Sequence, residues 1–339
     1  MDNSISLNNI RNYEPYSSSK KDTFIYKTKP YDFMSVNEID ISNQIKKISY
    51  YSNFFDILYD YDFITVLKDN PKTRLILFTY KKEHNIPFHQ VIFHLNTPKL
   101  FFIFTLNTFR YLLNSIHKLQ NINVCFFNIS TKNIIFQTNC QIPFLTNFYN
   151  SIYISKLNIH YIKDIIDSIE DYVNKPLEVF VIFYIIKNNL TTLSCSVIDK
   201  IVDFYISQFS ILEFFSQDYK NKYKQGCVLF LNKYINTPKN DILLDLFVYV
   251  NTWDIFSLSY LYLYIICSFY KVFKFFIKSV PFLDNFIRLL SDNICADPCK
   301  RNNIDTTIQN YSNLFNDKYS WDFIHNLPIE NMRELFSMF

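Results

Sequence analysis

The sequence predicts an α+β protein in which a small β-rich part precedes a larger helical part. Short runs of aromatic and β-branched residues, bounded by Asp, Asn, Pro or Lys, are typical of strands and occur up to residue 106. From Phe109 onwards the apolar residues recur at helical spacing instead. With 339 residues, of which 49% are apolar and 19% charged, the chain can bury one core or two lobes.

The first elements follow from local patterns. Residues 1–16 are polar and predict a mobile tail. The stretch Thr23–Lys29 (TFIYKTK) alternates in character and predicts a strand. Ser35 is a good N-cap, and Glu38 three residues later would complete a capping box, so a helix is expected from Ser35 to about Ile48.

Three more strands are predicted before the helical part begins. They are Phe63–Leu67, Leu75–Tyr80 and Leu100–Leu106. We therefore assign residues 17–106 to an N-terminal lobe and residues 107–339 to a helical C-terminal lobe. Besides the helix that begins near Phe109, helices are predicted at about 162–174, 178–188, 197–209, 240–250, 255–278, 281–291 and 304–315.

Composition excludes several classes of site. Loops that cradle phosphates need glycine for positive φ and close backbone approach, and Gly226 is the only glycine, so a Walker loop and a Rossmann fingerprint are both absent. A net charge of +3 is too small to indicate a nucleic-acid partner. The most apolar stretch, 260–277, is interrupted by Lys271 and Lys274 and predicts no membrane span.

Neither the histidines nor the cysteines predict a metal centre. His84, His89 and His94 are regularly spaced but have no acidic or cysteine partner at ligand spacing. Cys295 and Cys299 are not spaced as in structural zinc sites, and the seven scattered cysteines do not form a disulfide framework. Scattered free cysteines favour a reducing compartment, and we expect a cytoplasmic protein.

Several short motifs carry the most information, and their order matters more than any one of them. Each would be weak alone, because short apolar runs recur by chance. The motifs are CFFNISTKNIIF at 125–136, Asn147-Phe148-Tyr149, Pro176-Leu177-Glu178, TWDIFSLSYLYL at 252–263, and Asp297-Pro298-Cys299-Lys300-Arg301.

In this order the motifs resemble those of the protein-kinase superfamily, over about residues 23–315. The kinase catalytic loop reads His-Arg-Asp, four residues, then Asn, and it runs into a short apolar strand. Here Phe126, Phe127 and Asn128 stand in the His, Arg and Asp positions, and Asn133 matches the metal-binding Asn. Asn147-Phe148-Tyr149 stands where kinases have Asp-Phe-Gly.

The resemblance also implies roles for residues outside the catalytic loop. Glu178 and Arg301 would form the family's buried ion pair, and Asp254 would accept hydrogen bonds from the backbone of the catalytic loop. FIYK resembles the family's V-A-I-K, which makes Lys27 the candidate nucleotide-binding lysine and Glu38 its partner, with Lys29 as the rival lysine.

The chemistry of this resemblance is degenerate at three places. Asn128 is a neutral amide where a carboxylate should orient the substrate hydroxyl, and Asn147 offers a neutral oxygen where a carboxylate should hold magnesium. Of the metal set, Asn133 remains, and no glycine-rich loop precedes the first strand. Bulky residues at Phe126, Phe127, Phe148 and Tyr149 further predict a cleft filled by aromatic side chains.

The expected protein is thus a two-lobed, kinase-like pseudokinase that acts as a binding scaffold or regulator. About 75 residues separate Glu178 from Asp254, so a helical insertion is expected at about 179–251. That insertion, and a bias towards Phe, Tyr, Ile, Asn and Lys that AT-rich codons produce, are similar to divergent kinase-like proteins of large DNA viruses. The predicted partner is a protein of unknown identity, in the host cytoplasm if the chain is viral, and no cofactor is required.

Three alternatives stay open. An active atypical serine/threonine kinase, using ATP with Mg²⁺, would need another carboxylate, and Asp203, Asp218 or the pair Asp164 and Asp167 are available. A regulator could hold ATP without transferring phosphate, through Lys27 and Asn133. An unrelated helical protein with chance motif matches would lack the five-stranded small lobe of kinases.

Overall fold

Strands β1, β2 and β3 form an antiparallel sheet in the order β1-β3-β2. They are β1 Phe24–Pro30, β2 Asp60–Val66 and β3 Thr73–Lys81, and their alternating aromatic and β-branched residues suit a pleated surface. This is a computed structural model. It describes residues 23–66, 73–82, 85–95, 97–137, 142–169, 174–272 and 281–316.

The predicted tail at 1–16 and His84 lie outside the described residues. Within the described residues, the N-terminal sheet has three strands. The small lobe of kinases has five, and a lobe without five strands was the feature expected of an unrelated helical protein. The register sets Lys29 opposite Ile76 and Lys27 opposite Phe78. Side chains directly opposite one another share a face of the sheet, so both lysines lie on the face that carries Ile76 and Phe78.

Helix α1, Phe33–Ile45, packs on that face. Its Ile39 joins Leu58, Ile76 and Phe78 in a small core of its own. The predicted start of α1 was wrong: the N-cap is Asp32, whose side chain accepts a hydrogen bond from Ser35 N at 2.8 Å. Glu38 therefore lies in the second turn of α1, where it is 4% exposed, and not in a capping box.

The predicted strand at Leu100–Leu106 was also wrong, because these residues belong to helix α3, Pro98–Gln120. Thr97 caps α3 through a hydrogen bond from Leu100 N, and Pro98 occupies the first helical position, where its missing N–H costs nothing. The predicted lobe boundary near Leu106 consequently falls inside α3. The short elements before it are β4 Asn85–Pro87 and α2 Phe88–Phe93.

Two small antiparallel sheets lie between α3 and the later helices. Strands β4, β6 (Ile134–Gln137) and β7 (Pro143–Leu145) form one sheet, and β5 (Val124–Cys125) pairs with β8 (Ile152–Tyr153) in the other. The CFFNISTKNIIF motif thus runs from β5 to β6. The turn between β7 and β8 carries Asn147, Phe148 and Tyr149.

The remaining described chain is helical. Helices α6 (Cys195–Gln208), α7 (Gln217–Asn232) and α8 (Lys239–Phe247) lie within the predicted insertion at 179–251, and the sequence pattern did not predict α7. The central helix, α9, is almost entirely buried over its first half. These helices are α4 Ile159–Asp167, α5 Leu177–Lys187, α6 Cys195–Gln208, α7 Gln217–Asn232, α8 Lys239–Phe247, α9 Val250–Val272, α10 Pro281–Asn293 and α11 Ile304–Asn313.

Helix α9 is the only one among the described residues that is long and apolar enough to cross a membrane. Its apolar stretch, Val250–Phe269, has 67% of its window buried inside the protein. It contacts α3, α10 and β5, and the large hydrophobic core surrounds it. The central helix of a packed core has the same properties, so α9 is weak evidence for a membrane span.

Candidate functional site

Asp254 of α9 holds the loop that follows β5. Its two carboxylate oxygens accept hydrogen bonds from Phe126 N and Phe127 N, both at 2.7 Å. Asp254 lies in the second turn of α9. Burial raises the pKa of this carboxyl group, while the two backbone bonds and the nearby Lys175 oppose that rise.

Phe127 has a left-handed backbone, with φ at 65°. This conformation is unfavourable for a bulky residue and persists only where the surroundings impose it. Both backbone groups of Phe127 are held: its N–H by Asp254, and its carbonyl by the ammonium of Lys175, which also lies 4.5 Å from the Phe127 ring centroid. Lys175 is 1% exposed.

The three asparagines predicted to mark the degenerate chemistry lie together. Asn133 Nδ2 donates to the carbonyl of Asn128 at 2.9 Å, and Asn147 Nδ2 donates to Asn133 Oδ1 at 2.9 Å. A further bond from Thr146 N to the Asn133 carbonyl, at 3.1 Å, joins the two loops. Asn147 has φ 65°, which asparagine tolerates better than most residues.

This asparagine network does not fit a magnesium site. Magnesium in proteins is usually held by carboxylates, but the two side-chain oxygens offered here are neutral. Asn133 Oδ1 already accepts a hydrogen bond from Asn147, whose NH₂ group therefore points towards the oxygen that a cation would need. Among the described residues, no cluster of three or more His, Cys, Asp or Glu side chains could hold a metal ion.

The carboxylates considered as substitutes are engaged elsewhere or exposed. Asp203 pairs with Lys224 at 2.5 Å, and Asp167 pairs with Lys187 at 2.7 Å. Asp164 and Asp218 are exposed on α4 and α7. The structure brings none of the four into a hydrogen bond with the asparagine network.

The lysine that meets Glu38 is Lys29, and the assignment to Lys27 is corrected. Lys29 Nζ lies 2.6 Å from Glu38 Oε2. Tyr80 donates its hydroxyl proton to the other oxygen, Glu38 Oε1, at 2.8 Å. Both oxygens of Glu38 therefore have partners. Lys27, two residues earlier in β1, instead places its ammonium over the Tyr80 ring at 5.4 Å.

Three of the four bulky aromatic residues lie in the core and not in a cleft. Phe126, Phe127 and Phe148 are at most 1% exposed, and the Phe126 and Phe148 rings meet edge to face at 4.9 Å. Tyr149 differs, because its ring centroid lies 5.8 Å from Lys29 Nζ. The aromatic filling predicted for the cleft therefore rests on Tyr149.

Asn37 of α1 fixes the turn that carries Tyr149. Its Nδ2 donates to the carbonyls of Tyr149 and Ser151, each at 2.8 Å. Its Oδ1 accepts the hydroxyl proton of Tyr161 at 2.7 Å, and burial raises the pKa of Tyr161 to about 12. Asn37 is 5% exposed, so this network joins α1, the 148–151 turn and α4 inside the protein.

Glu178 and Arg301 form a buried, bidentate ion pair. The two nitrogen–oxygen distances are 2.5 and 3.0 Å, and both side chains are at most 1% exposed. Arg301 Nε also donates to the carbonyl of Cys295 at 2.8 Å. The guanidinium lies 4.8 Å from the Phe256 ring centroid, which ties the pair to α9.

Four residues that shape this region have no recognisable signal in the sequence. Lys175 and Asn174 stand beside the Pro176-Leu177-Glu178 motif, and Asn174 Nδ2 donates to the carbonyl of Ile129 at 2.5 Å. Asn37 directly precedes Glu38, and Tyr80 ends a predicted strand. Nothing in their local spacing distinguishes them from surface polar residues, because their partners are 45 or more residues away for Asn174 and Lys175, and 112 or more for Asn37.

No protein-family model matches the sequence, and no curated protein is similar to it. Solved structures do resemble the fold. The crystal structure of the LegK7 effector kinase from Legionella pneumophila matches with a TM-score of 0.51 and 10% sequence identity. The match covers 91% of this chain and 60% of the LegK7 chain, so this chain spans less than two thirds of the chain it matches.

At this identity the likeness shows the fold alone. The small antiparallel sheet with α1, followed by a large helical part, gives an α+β, two-lobed, protein-kinase-like fold.

Proposed function

We propose that this chain is a pseudokinase: a kinase-like scaffold that transfers no phosphate. One observation carries the proposal. Asn128 and Asn147 stand where the catalytic chemistry needs carboxylates, and Asn133 bonds to the backbone carbonyl of Asn128 and to the side-chain amide of Asn147, so these three side chains offer no charge to a cation. Phosphoryl transfer depends on positioning and charge neutralisation, and both depend on those carboxylates.

The residues that hold the fold support a binding role. Asp254 keeps the 126–127 backbone in place, and the Glu178–Arg301 pair ties α5 to the turn before α11. A chain that keeps these structural contacts while lacking the carboxylates retains a defined surface without the reaction. We propose a protein partner, and a viral origin with action in the host cytoplasm remains part of this proposal.

A thermal-shift titration tests the proposal, with ATP added alone and with Mg²⁺ or Mn²⁺. A ligand that binds only the folded state raises the melting temperature by mass action. We expect no metal-dependent shift at millimolar ATP and no transfer of labelled γ-phosphate to the protein itself or to a generic substrate. Divalent-dependent incorporation of phosphate would overturn the proposal in favour of an active atypical kinase.

A second candidate is an ATP-binding regulator without transfer, which the Lys29–Glu38 ion pair favours. The pair is short, at 2.6 Å, and Lys29 is 30% exposed, so its ammonium is within reach of solvent. In the titration, this function predicts a shift with ATP that persists in EDTA. The Lys29→Met variant should abolish that shift.

A further inference from the structure

The surroundings of Lys29 differ from those of a lysine that is ready to bind phosphate. Its ammonium pairs with Glu38 on one side and lies 4.9 Å from the Phe78 ring centroid and 5.8 Å from the Tyr149 ring centroid. A cation within about 6 Å of an aromatic ring is attracted by the ring's electrons. One carboxylate and two rings therefore contact this ammonium, and the side chain of Lys29 is 30% exposed on its remaining side.

The Tyr149 ring leaves too little space on its side for a phosphate group. A phosphate oxygen bonded to a lysine lies about 2.8 Å from the nitrogen. Placed between Nζ and Tyr149, such an oxygen would come within about 3 Å of the ring centroid, and the phosphorus would come closer still. Phosphate and ring cannot both occupy this space.

The backbone that carries the ring is also fixed in place. Asn37 donates hydrogen bonds to the carbonyl of Tyr149 itself and to that of Ser151. Its own side-chain oxygen accepts a hydrogen bond from the Tyr161 hydroxyl. Phe148, the residue before Tyr149, is 1% exposed and packs between Phe126 and Phe55. Moving the Tyr149 backbone would break buried hydrogen bonds and displace a core phenylalanine. The resemblance places this tyrosine where kinases have a glycine, which has no side chain.

We propose that Tyr149 closes the nucleotide site by covering Lys29, so that the wild-type cleft excludes the phosphates of ATP and holds α1 in place without a ligand. This inference rests on the proposed scaffold function and deepens it, because it names the residue that keeps the cleft closed. It implies a latent, metal-independent site for a nucleoside triphosphate beneath the ring.

The experiment measures ATP binding by calorimetry in EDTA for wild type and for Tyr149→Ala. The alanine variant keeps the backbone carbonyl that Asn37 binds, and it removes only the ring. We expect the Kd of Tyr149→Ala to be at least about tenfold lower than that of wild type, since a cation–ring contact is exchanged for a charge-assisted bond to phosphate. Adding Lys29→Met to Tyr149→Ala should abolish the gain.

Two controls isolate the ring and its position. Tyr149→Phe keeps the ring and should bind as weakly as wild type. Tyr153→Ala removes another tyrosine ring near a lysine, Lys156 at 5.7 Å, in β8, and it should gain nothing. Melting temperatures verify that each variant is folded.

The outcomes separate this inference from the proposed function. If neither wild type nor a folded Tyr149→Ala binds ATP, closure by Tyr149 is wrong and the scaffold proposal stands. If wild type and Tyr149→Ala bind ATP equally well, closure is wrong and the regulator gains support over the scaffold. If wild type shows a clear melting-temperature shift with ATP and Tyr149→Ala binds at least tenfold more tightly, the ring weakens binding without excluding ATP, so exclusion by Tyr149 is wrong and the nucleotide-free scaffold is overturned.

Discussion

Lys175 and Asp254 are opposite charges buried on either side of the strained residue Phe127. The carboxylate takes the Phe127 N–H, and the ammonium takes the Phe127 carbonyl. Taking both charges out of water is costly, and the structure offsets this cost through the mutual attraction and these backbone bonds. The pair therefore stabilises the left-handed backbone at Phe127 more than it stabilises the fold by its own attraction.

Removing the Lys175 ammonium should be strongly destabilising. In Lys175→Met, Asp254 keeps a buried charge with less compensation, and the Phe127 carbonyl loses its donor. We expect a loss of about 3–5 kcal/mol in the free energy of unfolding, measured with urea. Lys132→Met, at an exposed position of the same loop, is the matched control and should change stability by no more than about 0.5 kcal/mol. A Lys175→Met variant as stable as this control would contradict the prediction.

At the scale of elements, α1 is held by contacts along its length. Glu38 bonds to β1 and β3 through Lys29 and Tyr80, and Asn37 bonds to the 148–151 turn. Asp40 accepts a hydrogen bond from Lys156 at 2.7 Å, but both side chains are more than 40% exposed, and such pairs contribute little. The Asn37 network is buried, and it is thus the contact that fixes α1 against the helical lobe.

Asn37→Ala should loosen α1 and the 148–151 turn together. The variant leaves the carbonyls of Tyr149 and Ser151 without their side-chain donor, at a cost of about 1–3 kcal/mol. We expect faster amide hydrogen exchange in α1 and in the turn, with exchange in α9 unchanged. Asn43→Ala removes an exposed asparagine of the same helix and should leave all three unchanged. Uniformly faster exchange across the protein would mean that the network stabilises the whole fold and not one junction.

The sequence predicts the elements of this fold better than their boundaries. Alternation identifies β1 and β3, and recurring apolar residues identify α5, α6 and α8 to α11, although the first half of α5 and of α9 is buried on nearly all sides. Leu100–Leu106 was assigned to a strand because α3 buries most of its sides there, which removes the helical period. Thr97 and Pro98 carried the correct start signal. Helix α7 was missed because its polar first half, from Gln217 to Gln225, hides its few buried residues, such as Tyr223 and Cys227.

The candidate site shows a different limit. Motif order identifies Asn128, Asn133, Asn147, Asp254, Glu178 and Arg301, because each stands at a fixed spacing in its motif. It does not decide between Lys27 and Lys29, which share a face of β1. That choice depends on where α1 begins and on Tyr80, whose hydroxyl takes one oxygen of Glu38. The partner of Glu38 therefore depends on how α1 and β3 pack against β1, and the local sequence pattern does not encode that packing.

At the scale of the whole molecule, the chain between β7 and β8 joins the asparagine network of the helical lobe to α1 of the small lobe. The turn after β7 bonds to the loop after β5 through Asn133 and to α1 through Asn37. The asparagine network needs no ion, because the NH₂ groups of Asn133 and Asn147 each donate to an oxygen. A carboxylate at Asn147 would instead face Asn133 Oδ1 across 2.9 Å, and two oxygens at that distance repel unless a cation lies between them.

The Asn147→Asp variant should therefore acquire a dependence on divalent cations that wild type lacks. Aspartate tolerates the left-handed backbone at this position, so the variant should fold. Without a divalent cation its melting temperature should fall below that of wild type. Mg²⁺ at tenfold its Kd should then restore about 1.4 kcal/mol, which is a rise of about 2 °C. Asn158→Asp, at the N-cap of α4, adds the same charge where a helix N-terminus accepts it, and its melting temperature should not respond to Mg²⁺. An equal Mg²⁺ response in wild type would show that the amides already hold the ion, and the argument for a metal-free junction would fail.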